Sequence, residues 1–262
     1  MPESSPQTSQ PLLQEFLNLL REKKYSENSL QSHRLDLQKY LDWLGDGGEV
    51  RLEQLQVLKP ADIQDYVEYL YQDYKPSTIA RHLSSLKLFL NDLELSGKIR
   101  TNPVHRVRYP EVIADAPQTL SADEVIKLLE KPDPVHYLGL RDRAILELLY
   151  SSGLKVKELL NLNVEDLFLN MSFLKVRGKR ERMVPMTDKA VEALEEYLQS
   201  AREHRLLNKS DPCLFPGRNG TRMSRMGFWV MIRKHAKKAG IENPINGRIL
   251  RHSFAAHLLE NG

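Results

Sequence analysis

Phe173-Leu174-Lys175-Val176-Arg177-Gly178-Lys179-Arg180-Glu181-Arg182-Met183-Val184-Pro185 is where the apolar period drops from helical spacing to two. Leu174 and Val176 alternate with Phe173, Lys175 and Arg177, Gly178-Lys179-Arg180 supplies a turn, and Met183-Val184-Pro185 returns, the pattern of a β-hairpin. On both sides the spacing is helical. Downstream it recurs at Val191, Leu194 and Leu198, at Phe228, Ile232 and Ala239, and from residue 249 to 259. Upstream it covers residues 140–150 and 156–162, and Ser121-Ala122-Asp123-Glu124 forms a capping box in which hydroxyl and carboxylate satisfy orphan backbone N–H groups. The hairpin is thus a small β element inside a mostly helical domain spanning residues 121–262.

The front of the chain is helical throughout. Leu13, Phe16, Leu17 and Leu20, then Leu30, Leu37, Leu41 and Leu44, then Ile63, Val67 and Leu70, then Ile79, Leu83, Leu86, Leu90 and Leu93 mark four amphipathic helices in a small bundle. Gly45, Gly47 and Gly48 end the second, and Lys75-Pro76 opens the fourth, proline being tolerated in a first turn. The bundle, residues 1–97, stops at Gly97. Residues 98–120 carry three prolines and the basic string His105-Arg106-Val107-Arg108, and are expected to be a linker.

Composition sets the class. A chain of 262 residues with 28% charged and 41% hydrophobic residues buries a core, and its apolar runs fall far short of the roughly 18 residues of a membrane span. The polar start lacks the regions of a secretory signal, and Cys213 alone makes neither an internal disulfide nor a multi-thiolate metal site, so a cytoplasmic, membrane-free protein is expected. Net charge is +3, but from residue 171 onward 18 Lys and Arg face 9 Asp and Glu, a local +9 against −6 before it. Such asymmetry suits a polyanion, although a solvated basic face explains it as well.

Four basic sets interrupt the apolar pattern of the second domain: Lys155 and Lys157, the hairpin's Lys179, Arg180 and Arg182, the run Arg233-Lys234-His235-Ala236-Lys237-Lys238, and Arg248 with Arg251. Three residues apart on a helix, Arg248 and Arg251 share a face and could grip one phosphate. Taken singly, each cation is better read as solvated charge. Phe228, Trp229 and Met231 are expected in the core, as is Tyr150, and His252 and His257 as core or capping histidines.

The run Arg141-Asp142-Arg143-Ala144-Ile145-Leu146-Glu147-Leu148-Leu149-Tyr150-Ser151-Ser152-Gly153-Leu154, continued by Glu158-Leu159-Leu160-Asn161-Leu162, resembles the first signature box of the tyrosine recombinases, most closely the Xer type. Leu250-Arg251-His252-Ser253-Phe254-Ala255-Ala256-His257-Leu258-Leu259 resembles the second box, and Tyr25-Ser26-Glu27-Asn28-Ser29-Leu30 lies in what looks like the family's core-binding domain. The resemblance implies a mainly α protein: a four-helix SAM-like core-binding domain, then a mostly helical catalytic domain with a small β-sheet, together a C-shaped clamp on double-stranded DNA. It implies no cofactor and no metal. A tyrosine attacks the scissile phosphate, two arginines clamp its oxygens, and a hairpin lysine and a histidine move protons. Forked guanidinium donors suit that work, because charge grows on the phosphorus centre in the transition state.

Carried over by resemblance, the catalytic positions are Lys179, Arg251, Lys155 and Arg248. Lys155 stands where the family's Gly-Leu-Arg has its first arginine, Arg248 where its histidine belongs, and the hairpin turn is shorter than the usual Gly-Lys-Gly-x-Lys-x-Arg. Losing one positioned oxyanion donor typically costs about 10²–10³ in rate. None of the ten tyrosines matches the nucleophile position, so these residues alone are expected not to cleave DNA; a truncated recombinase and a natural remnant both remain open. By the same resemblance Arg34, Lys75, Thr78, Arg81, Lys87, Arg106, Arg108, Arg180, Arg182 and Arg222 contact DNA, with His33 and Ser85 on the same polar faces. A second recombinase protomer is an expected partner, and since the family's tetramers exchange C-terminal helices, these residues alone are expected to join such a ring poorly. The rival reading is a non-catalytic DNA-binding or regulatory protein derived from a recombinase.

Overall fold

The computed structural model describes residues 8–113, 118–178, 180–208 and 210–261. The chain divides into two units, residues 1–114 and 115–262.

In the first unit, α1 (Ser9–Glu22), α2 (Glu27–Leu44), α4 (Pro60–Tyr71) and α5 (Pro76–Leu95) realise the four expected helices, and a one-turn helix, α3 (Leu52–Gln56), is added between them. Ser26 caps α2 by accepting from Ser29 N–H at 3.2 Å, and Pro60 and Pro76 occupy first turns. Gly47, at φ +80°, takes the left-handed backbone that a side chain would resist. The apolar stripes meet in one core: Phe16, Leu37, Ile63, Leu70, Leu83 and Phe89 are buried, and Phe16 meets Phe89 edge to face.

The segment expected as linker is shorter than 98–120. Ile99 and Val104 join the first core, and a 3₁₀ turn, Pro103–Arg106, packs on α4 and α5. Asn102 fixes that turn, accepting from Val104 N–H at 2.9 Å and donating to Lys87 O at 3.0 Å. Leu120 already belongs to the second core.

The second unit opens on the predicted capping box: Glu124 N–H donates to Ser121 Oγ at 3.2 Å and Ser121 N–H to Glu124 Oε2 at 2.9 Å, starting α6 (Ala122–Leu129). Then come α7 (Tyr137–Ser152), α8 (Val156–Asn161), α9 (Asp188–Ser200), α10 (Arg225–Lys238) and α11 (Gly247–Asn261). The hairpin forms as expected, β2 (Phe173–Val176) against β3 (Arg182–Pro185), antiparallel with Leu174 opposite Val184. A two-residue strand, β1 (Leu167–Phe168), completes a sheet of order β1-β2-β3. Helix α7 is the hub, with Ala144, Ile145, Leu146, Leu148 and Leu149 all buried against α9, α11 and the hairpin.

Two core expectations need correction. Trp229 is 43% exposed, because a helix advances about 100° per residue and the face holding buried Phe228 and Ile232 turns it outward; Arg233 stacks over its ring at 4.4 Å. His252 and His257 are partly exposed, not core. Among the described residues, no helix is long and apolar enough to cross a membrane.

Candidate nucleic-acid interface

In the second unit, the two sequence boxes meet through glycines. Gly153 ends α7 at φ +57°, and a Cβ there would lie 2.7 Å from the Phe254 ring on α11. Gly247 begins α11, and a Cβ there would lie 2.2 Å from Val156 Cγ2 on α8. Residues 153–156 therefore touch residues 247–254 at two points, each a glycine backbone against a side chain of the other stretch; Lys155 lies on the first stretch, Arg248 and Arg251 on the second. Buried Leu154 and Leu250 anchor the two sides.

Each cation in this region is held differently. Lys155 is exposed and caps α8, its backbone N–H donating to Glu158 Oε2 at 2.9 Å, while its ammonium forms no ion pair among the described residues. Arg248 is exposed; its backbone N–H bonds Asn246 Oδ1 at 2.9 Å, the side-chain cap of α11. Arg251 is partly buried, and its Nη1 is sealed from solvent with no hydrogen-bond partner among the described residues. Arg182 reaches α8 from the turn end of the hairpin, Nη1 and Nη2 each 3.0 Å from a Glu158 oxygen. Arg180 is exposed, and Lys179 lies outside the described residues.

Arg222 is placed elsewhere in role. Its guanidinium donates to Leu160 O and Leu162 O, both at 2.9 Å, and to Asn163 Oδ1 at 2.6 Å, which spends its donors on the end of α8 and the chain after it. Tyr150 lies at the core margin, its hydroxyl 2.9 Å from His257 Nδ1, and burial pushes its phenol up.

In the first unit, Arg34, Lys75, Arg106 and Arg108 are exposed, Thr78 and Lys87 partly so, with no ion pair among the described residues. Arg81 and Ser85 depart from the simple polar-face picture. Asp36 of α2 is buried, 3% exposed, and its carboxylate accepts from Arg81 Nη1 and from Ser85 Oγ at 2.8 Å and lies 3.3 Å from His82 Nε2, all on α5. Ser85, 1% exposed, in turn meets His33 Nδ1 at 2.9 Å. This seam was missed in the sequence, although Asp36, His82 and Ser85 are polar residues set at helical spacing among the core leucines.

Residues 118–262 match the phage integrase family, and residues 13–96 match the phage integrase N-terminal SAM-like domain. The chain belongs to this family, the tyrosine recombinases. Within it, tyrosine recombinase XerD of Listeria monocytogenes is 36% identical over 256 residues, 96% of this chain and 86% of that one. XerD of Pseudomonas aeruginosa is 39% identical over 255 residues, covering 96% and 85%. Among solved recombinases, XerA shares 26% identity at a TM-score of 0.51, covering 97% of this chain and 85% of that one. A lambda integrase dimer bound to a core site, 16% identical with a TM-score of 0.73 over 96% of this chain and 70% of that one, shares the fold.

Proposed function

We propose that this recombinase family member binds duplex DNA for Xer-type site-specific strand exchange in the cytoplasm, its second unit gripping a backbone phosphate through Arg251, Arg248 and Lys155, with Lys179 as the expected proton donor. The observation that carries the reading is Arg251 Nη1, a desolvated donor with no protein partner among the described residues. Leaving a buried donor unsatisfied costs about 1–3 kcal/mol, and more for a charged group, so such a group is retained where a ligand supplies the acceptor. A phosphate oxygen is the acceptor a guanidinium fork fits best. The meeting of the two boxes at Gly153 and Gly247 supports assigning Lys155 and Arg248 to the same anion.

Lys155 delivers charge without a fork, and Arg248 cannot serve as a base near neutral pH because its pKa is about 12.5 or above. These two positions favour, as a second reading, a subunit that holds DNA more than it cuts it. Family neighbours solved on DNA as dimers or tetramers support a second protomer as partner.

A gel-shift titration on a duplex of mixed sequence tests the proposal. With about six phosphate contacts, affinity should fall roughly a thousandfold between about 50 and about 200 mM salt, and Arg251→Gln should weaken binding at every salt concentration. Salt-independent retention, or wild-type binding by Arg251→Gln, would refute it.

A further inference from the structure

The α2–α5 seam of the first unit carries a hydrogen-bond chain whose proton count has one solution. The Asp36 carboxylate only accepts, so the Ser85 hydroxyl, 2.8 Å away, gives it the single proton it has. Ser85 Oγ then meets His33 Nδ1 at 2.9 Å with nothing left to donate, and Nδ1 must be the N–H. A neutral imidazole with its proton on Nδ1 presents Nε2 as an acceptor. Nε2 has no partner among the described residues, and the ring is partly exposed beside Tyr25, centroids 6.0 Å apart. Burial, opposed by Asp36 and reinforced by Arg81, holds the imidazole below its ordinary value, so the neutral form prevails at neutral pH.

An acceptor here is out of keeping with its surroundings. Arg34 follows it on α2, and Lys75, Thr78 and Arg81 line the first turns of α5. Arg81 spends Nη1 on Asp36 and is 49% exposed, leaving other N–H groups to offer. Those donors suit phosphate oxygens. A lone pair on Nε2 repels them, and in the major groove it finds its complement in the amino group of adenine or cytosine.

We infer that His33 is a base-reading residue, its Nε2 accepting from an adenine N6 or cytosine N4 amino group, and that Asp36 acts through Ser85 as the positioning residue that fixes this role. The inference rests on the DNA-binding reading above and adds to it a split of labour: the surrounding cations set affinity, His33 sets sequence.

The probe is a random-sequence duplex library, selected on the wild-type chain and on His33→Ala. Wild type should enrich a site with one position restricted to adenine or cytosine on one strand. His33→Ala should relax that position alone, lose about three- to tenfold affinity for the selected duplex, and keep the same slope of log affinity against log salt. An unchanged consensus, or a slope reduced by about one with uniform loss of affinity, would overturn the inference, the latter marking His33 as a phosphate contact. Two further measurements need no variant. Removing the amino group from the base at the selected position should cost wild type the same three- to tenfold, and no loss overturns the inference. Nitrogen-15 imidazole spectra should place the His33 proton on Nδ1, and a proton on Nε2 overturns it. If wild type itself shows no salt-dependent retention on any duplex, the DNA-binding reading has failed, which is distinct from binding with an unaltered consensus.

Discussion

Arg182 at the start of β3 and Glu158 in the first turn of α8 form a two-armed ion pair, Nη1 to Oε1 and Nη2 to Oε2, both at 3.0 Å. The same carboxylate accepts the Lys155 backbone N–H. One side chain thus couples the hairpin to the turn that displays Lys155. Burial pushes the Glu158 carboxyl up, but hydrogen bonds from Arg182 and from Lys155 N–H, with the charges behind them, together carry it below the ordinary carboxylate range. A depressed folded value contributes stability that is present above the unfolded pKa of about 4.3 and is lost as pH falls through the folded one. A double-mutant cycle of Glu158→Gln with Arg182→Ala, followed by chemical denaturation, should give a coupling of up to about 1 kcal/mol at neutral pH that fades below about pH 4. A coupling flat across that range would show the pair to be energetically idle.

Gly247→Ala should be costly and Gly178→Ala nearly silent. The added methyl at 247 collides with Val156 at 2.2 Å and crowds Phe228 at 3.3 Å, whereas at 178 it meets nothing within 4 Å. Thermal unfolding should register a loss of about 1–3 kcal/mol at the first and within about 0.5 kcal/mol of zero at the second. DNA affinity should fall with Gly247→Ala, since the clash separates Lys155 from Arg248.

Arg251→Met should separate folding from binding. It removes a buried donor with no partner among the described residues, so the melting temperature should hold or rise while affinity for duplex DNA drops. A large loss of stability would mean that Arg251 is held by the fold and not kept for a ligand.

Ser253→Ala tests how α11 is tied to the entry of the second unit. Ser253, fully buried, accepts from Leu120 N–H at 2.8 Å and donates to Ile249 O at 2.9 Å. Its removal strands a buried N–H and should cost about 1–3 kcal/mol by denaturant titration.

Cys213 should resist alkylation in the native state. The thiol is fully buried, and burial, with the neighbouring Asp211 carboxylate, pushes it up to about 11. Iodoacetamide at about pH 8 should label it only as fast as the second unit unfolds, and quickly in denaturant. Rapid native labelling would contradict the packing around it.

Most of the architecture was legible because it repeats locally. Period-two alternation found the hairpin, the Ser121 capping box found the start of α6, and Lys75-Pro76 found the start of α5. Helix α3 escaped because five residues with Leu52 and Leu55 make less than two turns of pattern. Strand β1 is two residues long and exists through pairing with β2, which no local window contains. The expected linker exceeds the observed one for a similar reason: prolines mark irregular backbone, and Val104's burial depends on α4 and α5.

The site was legible by type and not by state. Lys155, Arg248 and Arg251 could be singled out from their boxes, but the glycine contacts that seat those boxes together join residues about a hundred positions apart. Arg81 and Arg222 looked like any exposed arginine, and only folding shows one bound to Asp36 and the other to three backbone and side-chain oxygens. The seam on Asp36 did leave a trace: Asp36, His82 and Ser85 stand where the apolar stripes of α2 and α5 call for leucine, and charge in a core position is rarely idle.

The 3₁₀ turn at Pro103–Arg106 decides where this gene can be cut. A fragment stopping at Gly97 keeps every long helix of the bundle yet discards Ile99 and Val104, baring the greasy flank of α4 and α5 that they roof. Such a fragment should clump at concentrations where one extended through residue 113 stays monodisperse.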